Sequence, residues 1–355
     1  MKAVILVGGE GTRLRPLTVN RLKSTVPMAN RPFLEYQFAL LRRHGVREIV
    51  LSICHQPEQV RRVFGDGRRF GVRLRYAAER TPLGTAGAIK NAEPLVAGRE
   101  PVAVLNGDEL SDWDFTRMAA VHRRQRSLIT IGLTWVADPS AYGLVQSDRR
   151  GRITRFIEKP SFDEGRSHWV NSGLYIFSPE AFSFIRADAP SSAERELFPA
   201  LLAAGERLWA YASRRYWKDI GTTANYLQAH WDLLEQRLPL LSAAKPWRRA
   251  PKVLAGPACR IHAAAVLQGP SLLGGKCQAG PEARIGELAV LGTGVKIGAR
   301  AQVERSVLWD RVVVGEGARL SGCVLGTGCR IGRFAVLQPG TVLGDGAVVP
   351  DYSRL

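Results

Sequence analysis

Near the start of the chain, in AVILVGGEGTRLRPLT (residues 3–18), five apolar residues run into Gly8, Gly9 and Gly11, followed at once by Thr12, Arg13 and Arg15. Backbone stripped of side chains lets N–H groups approach an anion, and a nearby guanidinium neutralises its charge. Phosphate oxygens suit that combination; a tight loop with solvated arginines is the plainer alternative. Two familiar glycine patterns do not fit. The dinucleotide fingerprint G-x-G-x-x-G would need glycine where Leu14 stands, and Pro16 obstructs a tight helix start. The G-x-x-x-x-G-K-[ST] phosphate loop is absent. Lys23 follows ten residues after Arg13 in the polar stretch RLKSTVP.

Two carboxylates stand at comparable places further on. VLNGDEL (104–110) ends an apolar run at Asp108, and YWKDIGTTANYL (216–227) puts Asp219 just before a glycine and a helix start. A pair of carboxylates at loop ends can hold one Mg²⁺, which takes oxygen ligands and commonly shares them with substrate phosphates. Singly, either aspartate could equally cap a turn or a helix.

These residues need a framework. EIVLSIC, VAVLNGD, LITIGLTWV and GLYIFSPE read as strands, while RPFLEYQFALLRRHGV and TTANYLQAHWDLLEQRL carry apolar residues at helical spacing. Strands alternating with helices predict an α/β domain with a mostly parallel, Rossmann-like sheet. Pro239, Pro246 and Pro251 then break the pattern. The expected division is a first domain over 1–238, a linker over 239–252 and a second domain over 253–355.

The second domain is periodic. Apolar residues recur every six at Ile261, Leu267, Leu273, Ala279, Ile285, Leu291, Ile297, Val303 and Trp309. After two one-residue slips the series resumes at Val314 and Leu320, then at Leu325, Ile331, Leu337, Leu343 and Val349, often with glycine next. This period predicts a left-handed parallel β-helix of hexapeptide repeats, whose inward residues stack from coil to coil. Cys259, Cys277, Cys323 and Cys329 each lie two residues before an inward position, in a slot shared with Ala265, Ala283, Ala289 and Ala301. There cysteine serves as a small hydrophobe.

Composition narrows the classes. Fifty Lys+Arg against 32 Asp+Glu give a net charge of +18. The excess is spread, +10 over residues 1–240 and +8 over 241–355, without zinc-finger, RNP or basic-zipper spacing. Nucleic acid is therefore not the expected partner, although a positive field favours small anions. No apolar run approaches the ~20 residues of a membrane span. The odd cysteine count, without ligand spacing or a leader-like N-terminus, points to reduced thiols and the cytoplasm.

With LVGGEGTRLRPLT…K come NRP (30–32), PLGTAGAI (82–89), LNGD (105–108), YGLV (142–145), FIEKP (156–160), VNSGLYIF (170–177) and WKDIGT (217–222). In order and approximate spacing this set resembles the sugar-1-phosphate nucleotidylyltransferases. The β-helix behind it is similar to the arrangement in mannose-1-phosphate guanylyltransferases. The resemblance implies an enzyme that transfers a nucleotidyl group from an NTP to a sugar 1-phosphate and releases pyrophosphate. It implies that Gly8, Gly9, Gly11 and Thr12 hold the nucleotide, that Arg13 and Lys23 meet the triphosphate, and that Asp108 and Asp219 bind Mg²⁺. Gly143, Glu158, Lys159, Asn171 and Gly173 would form the sugar pocket.

AAERTPLGTAGA should line the base pocket, with Gly84 and Thr85 in it. Glu79 could accept hydrogen bonds from guanine N1–H and N2–H₂, a pairing that uracil and thymine lack, or could simply be a solvated strand-end carboxylate. GTP and mannose 1-phosphate are the favoured substrates. A glucose-1-phosphate thymidylyl- or uridylyltransferase and a heptose-1-phosphate guanylyltransferase remain open. So do a non-catalytic NDP-sugar-binding subunit and a hexapeptide acyltransferase, which would rely on a histidine deep in the repeats; His262, in the first coil, is the only one there. The edges of a β-helix favour self-association, so a homo-oligomer is expected.

Overall fold

The computed structural model describes residues 1–157 and 167–355. The chain folds into two compact units, Met1–Gly9 with Leu34–Trp217, and Glu10–Phe33 with Lys218–Leu355.

In the first unit β1 (Lys2–Leu6), β2 (Glu48–Ile53), β3 (Arg73–Ala78) and β4 (Val102–Asn106) are parallel neighbours in the order β4-β1-β2-β3. Helices α1 (Leu34–Arg43), α2 (Pro57–Phe64) and α3 (Gly84–Val96) lie between these strands in sequence. β1 is a continuous apolar run with Ala3, Val4 and Ile5 fully buried, the pattern of a strand covered on both faces. Chain order reverses between β1 and β4, so the loops at their carboxyl ends open at a topological switch point. Gly8 follows β1 and Asp108 follows β4, and the Gly107 N–H donates to the Leu6 carbonyl at 2.8 Å, tying the two strand ends together.

The remainder of the sheet departs from the mostly parallel expectation. After β5 (Glu109–Ser111) and α4 (Phe115–Gln125) come β6 (Ile129–Trp135), β7 (Leu144–Ser147), β8 (Ile153–Ile157) and β9 (Trp169–Phe177). β9 runs antiparallel to β4, β6 and β7, and β8 antiparallel to β7. Following α5 (Phe198–Ala203), β10 (Leu208–Ser213) restores a parallel pairing with β6. The nine-stranded sheet is thus mixed. Apolar strands buried on both faces have the same composition in either direction, so periodicity alone could not assign it.

In the second unit β11 (Trp217–Asp219, its last two residues) leads to α6 (Thr223–Leu234), whose first turn is capped by the Thr222 hydroxyl accepting the Asn225 N–H at 3.2 Å. The region expected as linker is partly ordered in strands. β12 (Lys245–Trp247) pairs antiparallel with β13 (Ala250–Ala255), and β13 begins the first wall of the β-helix. Three parallel walls of six, six and five strands result, with β12 added antiparallel at the edge of the first, and each wall strand pairs with its equivalent one coil later. The inward residues form one buried column set with Cys277, Cys323 and Cys329 inside it, and each cysteine thiol donates to backbone carbonyls.

One expected inward residue is misplaced. Leu291 pairs with Leu308, and Leu308 with Leu325, so Leu308 and not Trp309 occupies the slot. Inward positions are five apart from Val303 to Leu308 and again from Leu320 to Leu325. The first slip therefore comes one position earlier than the sequence series supposed. With strand side chains alternating between faces, that single step sends Trp309 out of the coil.

Candidate functional site

The second unit carries a cationic cluster. Gly11 has φ +65°, and a Cβ there would stand 3.1 Å from Lys23 Cβ and 3.2 Å from Thr18 Cγ2. Glycine is the residue that adopts this left-handed conformation without strain, and the Thr18 hydroxyl fixes it by donating to the Gly11 carbonyl at 2.7 Å. A 3₁₀ turn then begins at Thr12 and carries Arg13. A second one, Lys23–Thr25, places Lys23 with only 8% of its surface exposed. A buried ammonium needs an anionic partner, and Asp219 supplies it. Lys23 Nζ is 3.6 Å from Asp219 Oδ1, and Arg13 Nη2 is 3.7 Å from Asp219 Oδ2. Gly221 donates its N–H to Asp219 Oδ1 at 2.6 Å. A Cβ on Gly221 would come within 2.7 Å of Arg13 Nη2 and 3.0 Å of Lys23 Nζ, so this face must stay bare.

The first unit carries a hydrogen-bonded polar cluster of its own. Glu79 follows β3 beside Gly8, whose notional Cβ lies 3.9 Å from Glu79 Oε1. The carboxylate is held from both sides: Oε1 accepts from the Ser52 hydroxyl at 3.2 Å and Oε2 from the Leu83 N–H at 3.1 Å. Glu79 therefore fixes the 79–83 turn, and each oxygen retains a second lone pair. Gly9 has open space around it. Gly84 opens α3 where a Cβ would come within 2.6 Å of the Ser191 carbonyl. The Thr85 hydroxyl donates to Glu194 at 2.6 Å and accepts from the Ala193 N–H at 2.8 Å, so it secures segment 191–194.

Asn171 and Gly173 lie on an irregular stretch of β9, where register with β6 shifts between Asn171 and Tyr175. Asn171 donates to the Tyr175 hydroxyl at 2.7 Å and accepts from the Gly173 N–H at 3.1 Å. The Asn171 N–H donates to the Gly143 carbonyl at 2.8 Å, which joins these sugar-pocket residues. The Tyr175 hydroxyl donates to Glu194 at 3.1 Å, and burial pushes its phenol well above the usual range, keeping it a donor. Gly173 has φ +68°, and a Cβ there would overlap Asn106 Nδ2 and Glu109 Oε1, both at 2.3 Å. Glu158 and Lys159 lie outside the described residues.

Several participants were not anticipated from sequence. Glu109, buried beside the Gly173 bulge, accepts from the Trp217 indole, which also donates to the Ser172 carbonyl at 2.9 Å. Tyr142 packs edge-on against Trp217 at 5.4 Å. Both partners are embedded in motifs already quoted, NGDEL and WKDIG, where only the aspartates drew notice. Gly221 and Ser52 are likewise supports whose role needs spatial neighbours to be seen.

Among the described residues no group of three or more metal-ligating side chains occurs. Asp108, half-buried in the turn after β4, and Asp219 supply hard carboxylate oxygens, the donor chemistry Mg²⁺ prefers. His262 is exposed and its Nδ1 accepts the Ala264 N–H at 3.1 Å, closing a local turn. No helix among the described residues is long and apolar enough to cross a membrane.

Comparisons with known proteins identify the family. Residues 2–236 match the nucleotidyl transferase family, and residues 267–354 match the GMPPB C-terminal domain. The mannose-1-phosphate guanylyltransferase of Mycobacterium tuberculosis is 34% identical over 307 residues, covering 85% of this chain and 83% of the relative. The UTP–glucose-1-phosphate uridylyltransferase of Synechocystis is 31% identical over 369 residues, covering 99% and 92%. Among solved structures, HddC from Yersinia pseudotuberculosis complexed with GMP-PN superposes with a TM-score of 0.56 at 28% identity, covering 64% of this chain and 97% of that one. The chain belongs to the nucleotidyl transferase family, with the sheet unit and the Arg13–Lys23–Asp219 loop inside the matched region and a hexapeptide β-helix after it.

Proposed function

We propose that this chain transfers a guanylyl group from GTP to mannose 1-phosphate, forming GDP-mannose and pyrophosphate. The convergence of Arg13 and Lys23 on Asp219 over the bare face of Gly221 supports the reading most directly. It is a cationic pair held in reserve by a carboxylate, on a chain whose family transfers nucleotidyl groups. Guanine and mannose are favoured by the Mycobacterium tuberculosis relative and by the match to the GMPPB C-terminal domain.

The nucleophile is an oxygen of the sugar phosphate, anionic at neutral pH, so no general base is required. It attacks the α-phosphorus in line. The new P–O bond forms as the bond from that phosphorus to the bridging oxygen breaks, and the electron pair leaves with pyrophosphate. Two polyanions must be brought together, so charge neutralisation and alignment are the protein's main contributions. Arg13 and Lys23 exchange Asp219 for triphosphate oxygens, and the backbone at Gly8, Gly9, Gly11 and Thr12 approaches the nucleotide. Asp108 and Asp219 would hold Mg²⁺, which when bound supplies further neutralisation of phosphate charge. Glu79 accepts from the guanine edge through its remaining lone pairs, with Gly84 and Thr85 shaping the turn beside it. Gly143, Asn171 and Gly173, together with Glu158 and Lys159, receive the sugar phosphate. Residues 1–238 would form the transferring domain, 239–252 the junction and 253–355 an assembly domain of a cytoplasmic homo-oligomer.

The test is pyrophosphate release with Mg²⁺ in a matrix of four NTPs against mannose, glucose, galactose and heptose 1-phosphates. Turnover confined to GTP and mannose 1-phosphate is expected. Turnover with UTP or dTTP and glucose 1-phosphate would keep the chemistry and replace the substrate pair. Silence in every combination, from folded protein, would overturn the reading.

A further inference from the structure

In the second unit, the slot after the inward residue of the first wall is glycine in five coils: Gly256, Gly274, Gly292, Gly326 and Gly344. At Gly256, Gly274, Gly292 and Gly326 a Cβ would come within 2.6 Å of backbone in the next coil. The sixth occupant of this column is Trp309, in the coil shortened by one residue. A repeat that breaks its own rule with its largest side chain has a reason outside the coil core. Trp309 is fully buried yet does not belong to the stacked interior.

What buries it is the phosphate loop and the helix after Asp219. Arg21 Cζ lies 4.5 Å from the Trp309 ring centroid, and Trp309 Nε1 donates to the Tyr226 hydroxyl at 3.1 Å. Tyr226, on α6, donates in turn to the Pro27 carbonyl. Arg21 also reaches Thr327 Oγ1 at 3.3 Å and Asp345 Oδ2 at 3.1 Å, one and two coils further on. Asn30 Nδ2 donates to the Leu291 carbonyl at 2.8 Å, one coil before. At Gly344 the neighbour of a notional Cβ is Pro16, at 3.2 Å. The loop over residues 16–30 is thus fastened to four successive coils, and its fastenings at Arg21 and Pro27 bracket Lys23.

We propose that the β-helix positions the phosphate-binding loop, with Arg21, clamped between Trp309 and Asp345, as the positioning residue that presents Lys23 and Arg13 to the triphosphate. The inference rests on the assignment of those two cations to the triphosphate. It gives the repeat domain a part in catalysis without contact to substrate. A guanidinium stacked on an indole, with its Nη2 donating to both Asp345 and Thr327, is a stiff anchor, because the ring fixes its plane and the two acceptors fix its reach. Lys23 lies two residues away and starts its own 3₁₀ turn, so a shift at Arg21 is transmitted to its ammonium.

The test is steady-state kinetics of pyrophosphate release with GTP and mannose 1-phosphate, or with the best pair from the matrix, alongside thermal unfolding. Variants are Arg21→Ala, Arg21→Lys, Asp345→Asn, Trp309→Gly, Trp309→Phe and Lys23→Ala. Trp309→Gly installs the residue that the other coils carry. Misplacing a binding group by about 1 Å costs on the order of a hundredfold. Arg21→Ala and Trp309→Gly should therefore lower kcat/KM for the NTP by about ten- to a hundredfold, leaving KM for the sugar phosphate within about twofold. Arg21→Lys and Trp309→Phe should fall between these and the native enzyme. Unchanged NTP kinetics in Arg21→Ala and Trp309→Gly, with or without a lower Tm, would overturn the inference. If those two do not fold, unchanged kinetics in Trp309→Phe and Asp345→Asn would do so. Full activity in Lys23→Ala would instead overturn the underlying assignment of the loop.

Discussion

The cationic cluster in the second unit and the polar pocket in the first are held by different physics. Arg13, Lys23 and Asp219 meet at 3.6–3.7 Å, ion-pair distances longer than a hydrogen bond. Glu79, Asn171, Gly173 and Tyr175 are fixed by directional hydrogen bonds of 2.7–3.2 Å and by a left-handed glycine. The first arrangement can exchange its anion for another at small geometric cost, because Coulomb attraction falls slowly with distance. The second cannot move without breaking several bonds at once. Chemistry with phosphate would therefore depend on total charge, and discrimination of base and sugar on shape.

Removing a charge should break the cationic side most severely. Lys23→Ala leaves Asp219 with Arg13, which is largely exposed, and deletes the ammonium proposed to meet the triphosphate. Losses of about 10³-fold in kcat/KM are expected, the scale of removing one preorganised electrostatic group. Asp219→Asn should match this loss only if the carboxylate also serves a metal; an effect near tenfold would assign it to holding Lys23 and Arg13 alone. Both are read from pyrophosphate release at saturating Mg²⁺.

Shape governs the next effect. Gly173→Ala forces a Cβ into Asn106 and Glu109 at a φ that alanine tolerates poorly. The strained backbone and the overlap together should cost about 2–3 kcal/mol of stability and raise KM for the sugar phosphate by about tenfold or more. The NTP KM should move much less. If both KM values rise equally, the two halves are more tightly coupled than their separate bonding implies.

Glu79 lies between these cases, since it is a charge used as a structural tie. Glu79→Gln keeps the acceptor for Leu83 and offers a donor where guanine N1–H would point. Selectivity for GTP over UTP should fall by about tenfold, on the scale of a lost charged hydrogen bond, about 1.5 kcal/mol. Selectivity unchanged to within twofold would leave Glu79 as the holder of its turn.

Legibility followed the same divide. Arg13 and Asp219 stood out in the sequence because charge close to glycine is a local pattern, whereas Lys23, far from any glycine in the chain, drew its expected role from the family resemblance. The six-residue period disclosed the β-helix because every coil repeats one steric demand. Glu109, Trp217 and Ser52 were missed because they act as partners, and a partner is defined by a neighbour distant in the chain. Trp309 was found and misread: a residue one step beyond a slip looks inward when counted in sixes, and only strand register separates it from Leu308. Arg21 carried no signal at all, since its contacts are some three hundred residues away. The antiparallel turn of the sheet at β9 was hidden for a plainer reason, as a doubly covered strand has the same apolar run in either direction.

The smallest expected effect tests whether the two units lose stability together. Each contains one buried histidine whose pKa burial lowers to about 4: His122 in α4, between Thr130 and Ser178, and His230 in α6, beside Tyr226. Both folded values lie below the ordinary 6.5, so the native state keeps these rings neutral while the unfolded chain binds protons. Stability is then fully present above about pH 6.5 and declines as pH falls towards 4, by about 1 kcal/mol per histidine at pH 5.5. Thermal unfolding followed from pH 7.5 to 5 should show Tm falling from the same pH for both units. His122→Gln, which keeps one acceptor and one donor, should flatten the decline for the sheet unit alone. A variant whose acid sensitivity drops in both units would show that they unfold as one cooperative body, and that the separation into a charge-held and a shape-held half does not extend to stability.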